Sequence, residues 1–357
     1  MKNKGFSPKK KYLAGIVLIS LLLLFTLTSS AAEKAEYNWK FGVPYSIESW
    51  NQSMQLFCDL VKVYSDGKME VELYPNSMLG SHNETFHAVQ EGSVEIGMFA
   101  PYVNLVPGGM TNWMPWTIEN YNQSAIAFNS PDGILFKVMS KAWEEVGFKF
   151  LFITVEGTYG IGNNVRPIKT PDDFKNLKMR VSSSLGFVRA LQNMGAGTGM
   201  TVSTVPWSDL YNALERGVVD GCWSNWLSMV EMRHFEVLDY YTALDWAWGA
   251  SNVVVNKEAW DKLPSDIQEA IIKAGKVAEM RDYEVHRRAE IDYKKTITDG
   301  GVEIYYPTSE EKELLRKRAN MPAVWEELCE PWLKKHYPGE NMTQKILNEL
   351  EKISKID

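Results

Sequence analysis

The sequence is poor in cysteine and histidine, and this scarcity excludes several classes of protein. Its 357 residues include three cysteines, Cys58, Cys222 and Cys329, which allow at most one internal disulfide and no disulfide framework. Their spacing matches no zinc motif. His82 and His87 are five residues apart, unlike the four-residue spacing that places two ligands on one helix face. We therefore predict neither a metal site nor a cofactor.

Motifs of the common secreted enzymes are also missing. The chain contains no GxSxG, no HExxH and no nucleophile with an evident histidine and acid, and its glycines at 157, 160 and 162 do not fit GxGxxG. The hydroxyls of residues 182–184 could be proposed as nucleophiles, but hydroxyls at a helix start more often cap the helix. We predict that the protein is not an enzyme, with a periplasmic hydrolase as the least favoured alternative.

Long apolar runs are absent outside the N-terminus. Residues 1–32 combine a lysine-rich start, an apolar core from Leu13 to Leu27 and a small-residue end at Ser30, Ala31 and Ala32. This pattern predicts a cleaved secretory signal and a periplasmic protein. The apolar core, of about fifteen residues, is short for a membrane span, which disfavours the alternative of an uncleaved anchor. Removing five lysines and no acid lowers the net charge from −7 to −12, which argues against nucleic acid as a partner.

The remaining chain alternates strand and helix patterns, as α/β proteins do. Residues 37–43 and the segment FKFLFITVE read as strands, and the following GTYGIGNN reads as a loop. SNWLSMVEMRHFEVLD reads as a helix, and a long helix is predicted from Ser265 to Thr298, with Ser265 as its N-cap. A mature chain of this length usually makes two domains.

Asp172 to Trp226 is the stretch that points to a ligand. In the strand LKMRV, Lys178 and Arg180 face away from the apolar side, and a serine-rich turn and a helix follow. Ligands of open α/β sheets lie outside the carboxyl ends of strands, and helix N-termini there attract anions. A guanidinium beside such a turn can hold a carboxylate through two parallel hydrogen bonds. A solvated surface arginine is the alternative interpretation.

Five motifs then occur in one order along nearly the whole mature chain. They are LYPNSMLG (73–80), IKTPDDFKNLKMRV (168–181), DLYNALERGVVDG (209–221), FEV (235–237) and VVVNKEAWDKLPSDIQ (253–268). In this order they resemble the DctP-type solute-binding proteins of TRAP transporters. The resemblance implies a receptor that closes over a small acid and delivers it to the membrane subunits of a sodium-driven transporter.

The same resemblance implies the architecture, a two-domain Venus-flytrap fold with hinge strands and one long helix across both domains. Domain I would comprise 33–156 and, with the long helix, 246–290. Domain II would comprise 157–245, with the ligand arginine, and 291–357. The family arginine that pairs with the ligand carboxylate falls on Arg180.

Departures from the family pattern change the expected ligand. Tyr159 stands where many members carry a second arginine, Trp223 replaces an acidic residue, and Trp246 replaces a common histidine. The asparagine that contacts ligands in the family falls on Ser224, with Asn225 beside it. The expected ligand-binding residues are therefore Arg180, Tyr159, Trp207, Trp223, Ser224, Asn225 and Trp246.

These substitutions favour a ligand with one acidic group and an apolar or aromatic body. The pattern leaves open whether the acid is a 2-hydroxy or 2-oxo acid, an aromatic acid or a sulfonate. A component that presents its ligand to a sensor is an alternative to a transport receptor. Oligomeric state and the pairing of the cysteines are also left open.

Overall fold

The computed structural model describes residues 35–356, so the predicted signal segment 1–32 lies outside the described residues. The strands are β1 Tyr37–Gly42, β2 Met69–Tyr74, β3 Ile96–Phe99, β4 Phe148–Asn163, β5 Lys178–Val181, β6 Thr201–Thr204, β7 Gly221–Asn225, β8 Tyr240–Thr242, β9 Trp248–Asn256 and β10 Glu303–Tyr305. The larger helices are α1 Glu48–Tyr64, α2 His82–Gln90, α3 Tyr121–Ala127, α4 Ile134–Glu145, α5 Leu185–Met194, α6 Leu210–Glu215, α7 Trp226–Glu231, α8 Lys257–Asp261, α9 Ser265–Asp299, α10 Ser309–Ala319, α11 Met321–Leu328, α12 Glu330–His336 and α13 Met342–Ile353.

Local sequence explains where several helices begin and which face they bury. Trp50, Met54, Phe57 and Val61 recur every three or four residues in α1 and are all buried. Helix α2 begins with a capping box in which Ser81 and Glu84 satisfy each other's backbone N–H groups. The apolar stripe thus fixes which face of α1 is buried, and the capping box fixes where α2 begins.

The strands form one path in the order β2-β1-β3-β9-β4-β7-β5-β6, with β8 pairing β4 and β10. Strands β1, β2 and β3 run parallel in one half, and β5, β6 and β7 run parallel in the other. The antiparallel pair β4 and β9 joins the halves. This is the predicted two-domain α/β fold, with β4 and β9 in the place of hinge strands. The domain boundaries given above stay predictions.

Strand β4 is longer than expected, and the predicted GTYGIGNN loop is wrong. The strand runs 16 residues, and its second part pairs with β7 through Tyr159 to Asn163. Between Val155, opposite Ala250, and Gly157, opposite Gly249, the register shifts, so Glu156 is an extra residue. Gly157 has φ +77°, which glycine adopts without strain, so this β-bulge bends the strand and pairing then resumes. The glycine at position 157 therefore marks a β-bulge within the strand, not the start of a loop.

A second correction concerns the segment SNWLSMVEMRHFEVLD. Ser224 and Asn225 belong to the end of β7, and the helix α7 that follows is only six residues long. Asn225 is the N-cap of α7, because its side chain accepts a hydrogen bond from the backbone N–H of Ser228 at 2.7 Å. The predicted helix was too long because β7 and α7 are both rich in apolar residues, so the pattern does not show where the strand ends.

The long helix α9 confirms the prediction of one helix shared by both halves. It packs on α1 of the first half, on β4 and on α7 of the second half. Its carboxylates bind the irregular part of β4: Asp282 accepts the N–H of Val155 at 2.8 Å. The predicted N-cap at Ser265 is wrong, because Pro264 takes that position and Ser265 is the first helical residue.

No helix within residues 35–356 is long and apolar enough to cross a membrane. Cys58, Cys222 and Cys329 are buried and unpaired. Burial raises the pKa of the Cys222 thiol to about 12, with Arg180 acting weakly against this shift. Cys222 is therefore a protonated thiol at neutral pH, which makes it a poor nucleophile.

Candidate ligand-binding site

An aromatic cavity lies where the two halves meet at β4 and β9. It encloses about 580 Å³ of empty space, counting open solvent at its mouth. Both halves contribute walls: Tyr45 and Trp50 come from the first, and Arg180, Ser182 and Trp207 come from the second. Ser251 comes from the joining strand β9. The cavity has the size and the mixture of rings and few polar groups that small-molecule sites show. We call it the inner pocket.

Arg180 supplies the positive charge of the inner pocket. It lies on β5 between β6 and β7, and its side chain is 3% exposed. Its Nε and Nη2 atoms donate to the main-chain carbonyl of Val205 at 3.0 and 2.8 Å. Burial lowers the pKa of Arg180, but a guanidinium remains charged. No ion pair joins Arg180 to another of residues 35–356, so its charge is oriented by a neutral carbonyl and left available.

A second cavity, the outer cleft, adjoins the inner pocket. It encloses about 930 Å³ including solvent, and Arg180 and Ser182 line both cavities. Hydroxyl and amide side chains dominate its walls, including Ser77, Ser81 and Asn83. Arg180 thus lies at the junction of a polar approach and an aromatic interior.

Glu156 places a carboxyl group at the wall of the inner pocket. Its carboxylate, 8% exposed, accepts hydrogen bonds from the Tyr159 hydroxyl, the Ser251 hydroxyl at 3.1 Å and the Asn225 amide at 3.2 Å. Burial raises its pKa, and the bonds from Tyr159 and Ser251 oppose this shift. A Cβ at Gly249 would lie 2.6 Å from Glu156 Cβ and from Tyr159 Cε2, so this packing requires glycine.

The structure brings four of the seven predicted site residues to the inner pocket: Arg180, Tyr159, Trp207 and Trp223. The Trp207 ring lies 5.4 Å from the Arg180 guanidinium carbon. Stacking on an aromatic face stabilises a cation and fixes its plane. Trp223 and Trp207 both have indole N–H groups without a hydrogen-bond acceptor among the described residues.

Trp246, Ser224 and Asn225 do not line the inner pocket. Trp246 is fully buried and stacks against Trp223 with ring centroids 3.9 Å apart, so it supports the wall from behind. The Ser224 hydroxyl lies 3.3 Å from His234 Nδ1. Asn225 acts on the pocket through Glu156, to which its amide donates.

Several pocket residues were missed at the sequence level. They are Tyr45, Ile47, Trp50, Ala100, Tyr102, Trp113, Glu156, Ser182, Phe187, Ser228 and Ser251. Most are apolar or hydroxyl residues that look like ordinary core in a pattern. Glu156 left one usable signal, because it is the acidic residue in the apolar run FLFITVEG. Within residues 35–356 no group of three or more His, Cys, Asp or Glu side chains is arranged to hold a metal ion.

Comparison with solved structures assigns the fold to a class of proteins. A TRAP periplasmic solute-binding protein from Desulfovibrio salexigens, solved with orotic acid, is 21% identical, with a TM-score of 0.79 over 89% of this chain and 99% of that chain. One from Roseobacter denitrificans, solved with β-D-glucuronate, is 21% identical, with a TM-score of 0.78 over 88% and 99%. The fold is therefore that of TRAP periplasmic solute-binding proteins.

Sequence comparison identifies the family. Residues 43–330 match the model of bacterial extracellular solute-binding protein, family 7, the DctP family. The C4-dicarboxylate-binding periplasmic protein DctP of Rhodobacter capsulatus is 30% identical over 283 residues, 77% of this chain and 78% of that protein. The sialic acid-binding periplasmic protein SiaP of Vibrio cholerae is 22% identical over 81% and 89%. This chain belongs to the DctP family and is a substrate-binding protein of the TRAP type.

Proposed function

We propose that this protein is the periplasmic receptor of a TRAP transporter and captures a small organic acid whose single carboxylate binds Arg180. An apolar or aromatic part of the ligand fills the ring-lined interior. The receptor then delivers the acid to the membrane subunits. The observation that carries this proposal is a buried arginine, free of carboxylate partners in the described chain, facing an aromatic pocket between two halves of the fold.

Energetics support an acid at this position. A buried charge is costly unless it is paired, and the Val205 carbonyl only partly replaces the lost hydration of Arg180. A carboxylate would complete the pairing through hydrogen bonds that are stronger than those between neutral groups. The acidic ligands named for relatives, among them orotic acid and β-D-glucuronate, have the same group to offer.

The surroundings of Arg180 favour one carboxylate over several. Tyr159 lines the same pocket, and its hydroxyl donates to Glu156 and adds no positive charge. A second carboxylate placed near Glu156 would meet a like charge, which is unfavourable in a buried site. Dicarboxylates and larger polyacids therefore fit this pocket less well than monoacids.

The proposed mechanism is closure of the two domains about β4 and β9. A ligand held by Arg180 on the second half also contacts Tyr45 and Trp50 on the first half, contacts that form fully only when the halves are close. The ligand therefore binds the closed form better and shifts the population towards it. The proposed moving units are 33–156 with 246–290, and 157–245 with 291–357.

The proposal is tested with purified mature protein by native mass spectrometry and a thermal-shift screen. The panel contains aliphatic 2-hydroxy and 2-oxo acids, aromatic monoacids, dicarboxylates and sulfonates, applied to protein that has been unfolded and refolded to remove bound ligand. We expect at least one monoacid to raise the Tm, because binding to the native state alone stabilises it. Arg180→Ala should abolish this increase.

The matched control is Arg189→Ala. Arg189 lies on α5, close in sequence to Arg180, but it is exposed and pairs with Glu327 at the surface. This variant should keep the full ligand response. If no acid or sulfonate shifts the Tm of the wild type, or if Arg180→Ala responds like the wild type, the proposal is wrong.

A further inference from the structure

The bulge in β4 aims a carboxylate at the ligand space. At the register shift, Val155 and Gly157 remain opposite β9 residues, and Glu156 is the unpaired residue between them. Bulges of this kind occur beside functional sites, where the extra residue reorients a side chain. Here the result is a carboxylate that lines the inner pocket, at 8% exposure, in a strand whose other side chains are nearly all buried.

The partners of Glu156 hold its position but do not neutralise its charge. Tyr159, Ser251 and Asn225 all donate from neutral groups, and none of the ion pairs among residues 35–356 includes Glu156. Asp282 differs from Glu156 in both respects. It is fully buried, it lies 3.3 Å from His286, and it does not line the pocket. A carboxylate with a purely structural role needs no exposure to a ligand cavity, whereas Glu156 has it.

Glu156 and Arg180 face the same cavity without pairing with each other. Tyr102, which also lines the cavity, experiences both charges: burial raises the pKa of its hydroxyl most, Arg180 lowers it and Glu156 raises it. The pocket therefore contains a guanidinium and a carboxyl group that do not pair with each other, together with several aromatic rings. No ion pair among residues 35–356 includes either group, although His286 acts on Glu156 from a distance and lowers its pKa.

From this arrangement we infer that the preferred ligand is a zwitterion, an organic acid whose carboxylate binds Arg180 and whose cationic nitrogen binds Glu156. This inference rests on the function proposed above and narrows its substrate class. A ligand with both charges would pair each buried group, and buried charges are stable when paired. A simple monoacid would pair Arg180 alone and leave Glu156 desolvated beside its apolar part.

The walls between the two charges also suit a cation. Rings of Tyr45, Trp50, Tyr102 and Trp223 line the pocket, and aromatic faces attract cationic nitrogen. Tyr45 and Trp50 contact each other edge to face at 5.5 Å, and the Trp50 indole donates to the carbonyl of Val155, next to Glu156. These two rings are thus held by their own contacts.

The experiment uses isothermal titration calorimetry of the refolded mature protein with three matched probe pairs. The pairs are 3-phenylpropanoate and L-phenylalanine, pentanoate and 5-aminopentanoate, and 4-methylbenzoate and 4-(aminomethyl)benzoate. Members of a pair share the carboxylate and the body and differ in the ammonium group, and the pairs differ in the separation of the charges. We expect the zwitterion of at least one pair to bind about tenfold or more tightly than its partner, as a hydrogen bond to a charged group allows.

Glu156→Gln is the decisive variant because it keeps the size and an acceptor oxygen but removes the charge. It should abolish the preference within that pair and leave the affinity for the plain carboxylate within about threefold. The matched control is Glu144→Gln, the same substitution at an exposed glutamate of α4, and it should keep the preference.

A measurement on the wild type covers the case in which Glu156→Gln does not fold. The preference for the zwitterion should weaken as pH falls, because Glu156 becomes protonated, whereas the plain carboxylate should not show this loss over the same range. The other titratable groups that act on Glu156 or respond to it are Tyr45, Tyr102, Tyr159, Asp282 and His286.

The outcomes separate the two proposals. Binding of plain acids with no gain, or a loss, from the ammonium in every pair would overturn the zwitterion and leave the receptor for an acid intact. A preference that survives in Glu156→Gln would also overturn it. Absence of binding by all six probes and by the acid panel would overturn both.

Discussion

The two charged ends of the inner pocket are built in different ways. Arg180 projects from a short parallel strand and is oriented by one main-chain carbonyl, that of Val205. Glu156 projects from a bulge in a long antiparallel strand and is held by side chains of three strands, β4, β7 and β9. One end therefore depends on local chain geometry, and the other depends on the assembly of distant segments.

The two ends of the pocket should respond differently to substitutions of neighbouring side chains. The Arg180 guanidinium is held by a backbone carbonyl, which stays in place when neighbouring side chains vary, and by one side chain, the Trp207 ring. A carboxylate held by Tyr159, Ser251 and Asn225 changes its hydration and its pKa when any one of them is lost. The Arg180 end should thus tolerate substitutions around it other than at Trp207, and the Glu156 end should be sensitive to them.

The largest expected effect is at the arginine itself. Arg180→Lys keeps the positive charge but loses the planar fork that donates to Val205 and to a carboxylate together. We expect the affinity for the best acid to fall about 100-fold, close to 3 kcal/mol, with little change in the midpoint of urea unfolding. Calorimetry measures the first quantity and denaturation the second. Wild-type affinity in this variant would show that charge alone, without the fork, holds the ligand.

The next expected effect is on how stability depends on pH. Two glutamates, Glu156 and Glu145, have pKa values shifted in opposite directions. The pKa of Glu156 is raised by burial, so its folded form prefers the proton. The unfolded chain releases that proton near pH 4.3, and stability is then lost as pH rises towards the folded pKa. Unfolding of the ligand-free protein should show this loss, and Glu156→Gln should remove it.

Glu145 of α4 has a lowered pKa, so its effect on stability changes with pH in the opposite direction. Burial opposes its ionisation, but hydrogen bonds from Lys335, Trp332 and His336 outweigh burial and lower its pKa to about 2. Its contribution is therefore present above about pH 4.3 and is lost as pH falls towards 2. Glu145→Gln should cost about 1 kcal/mol at pH 7, a value reduced for partial exposure, and should flatten the acid side of the profile. Profiles of the same sign for both variants would refute the comparison.

The smallest effect separates a bonded serine from an unbonded one. Ser251→Ala removes the donor to Glu156 Oε1 and should lower the free energy of unfolding by about 1 kcal/mol. Ser184→Ala is the matched control, because the Ser184 hydroxyl is buried without a hydrogen-bond partner in the described part of the chain. That variant should be neutral or slightly stabilising. Urea denaturation measures the free energy of unfolding of both variants. An equal loss of stability in the two would show that the bond to Glu156 contributes nothing.

Much of the fold could be read from local patterns. The strand at Lys178–Val181, the helix at Leu185–Met194 and the long helix at Ser265–Asp299 follow from periodicity and from glycines and prolines at their ends. The errors occurred where two elements share one apolar run, as at β7 and α7, or where a glycine marks a bulge, as at Gly157. Pattern alone does not separate these cases, because the distinction lies in what the strand pairs with.

The same division applies to the pocket. The sequence by itself determined the α/β class, the family motifs and the arginine at the end of β5, because each depends on neighbours close along the chain. Only the tertiary structure decided that Glu156 faces the same cavity as Arg180, that Trp246 supports Trp223 from behind, and that Tyr45 and Trp50 close the opposite wall. These relations join separate segments of the chain. They depend on strand register and on the bulge at Glu156, which local propensity does not encode.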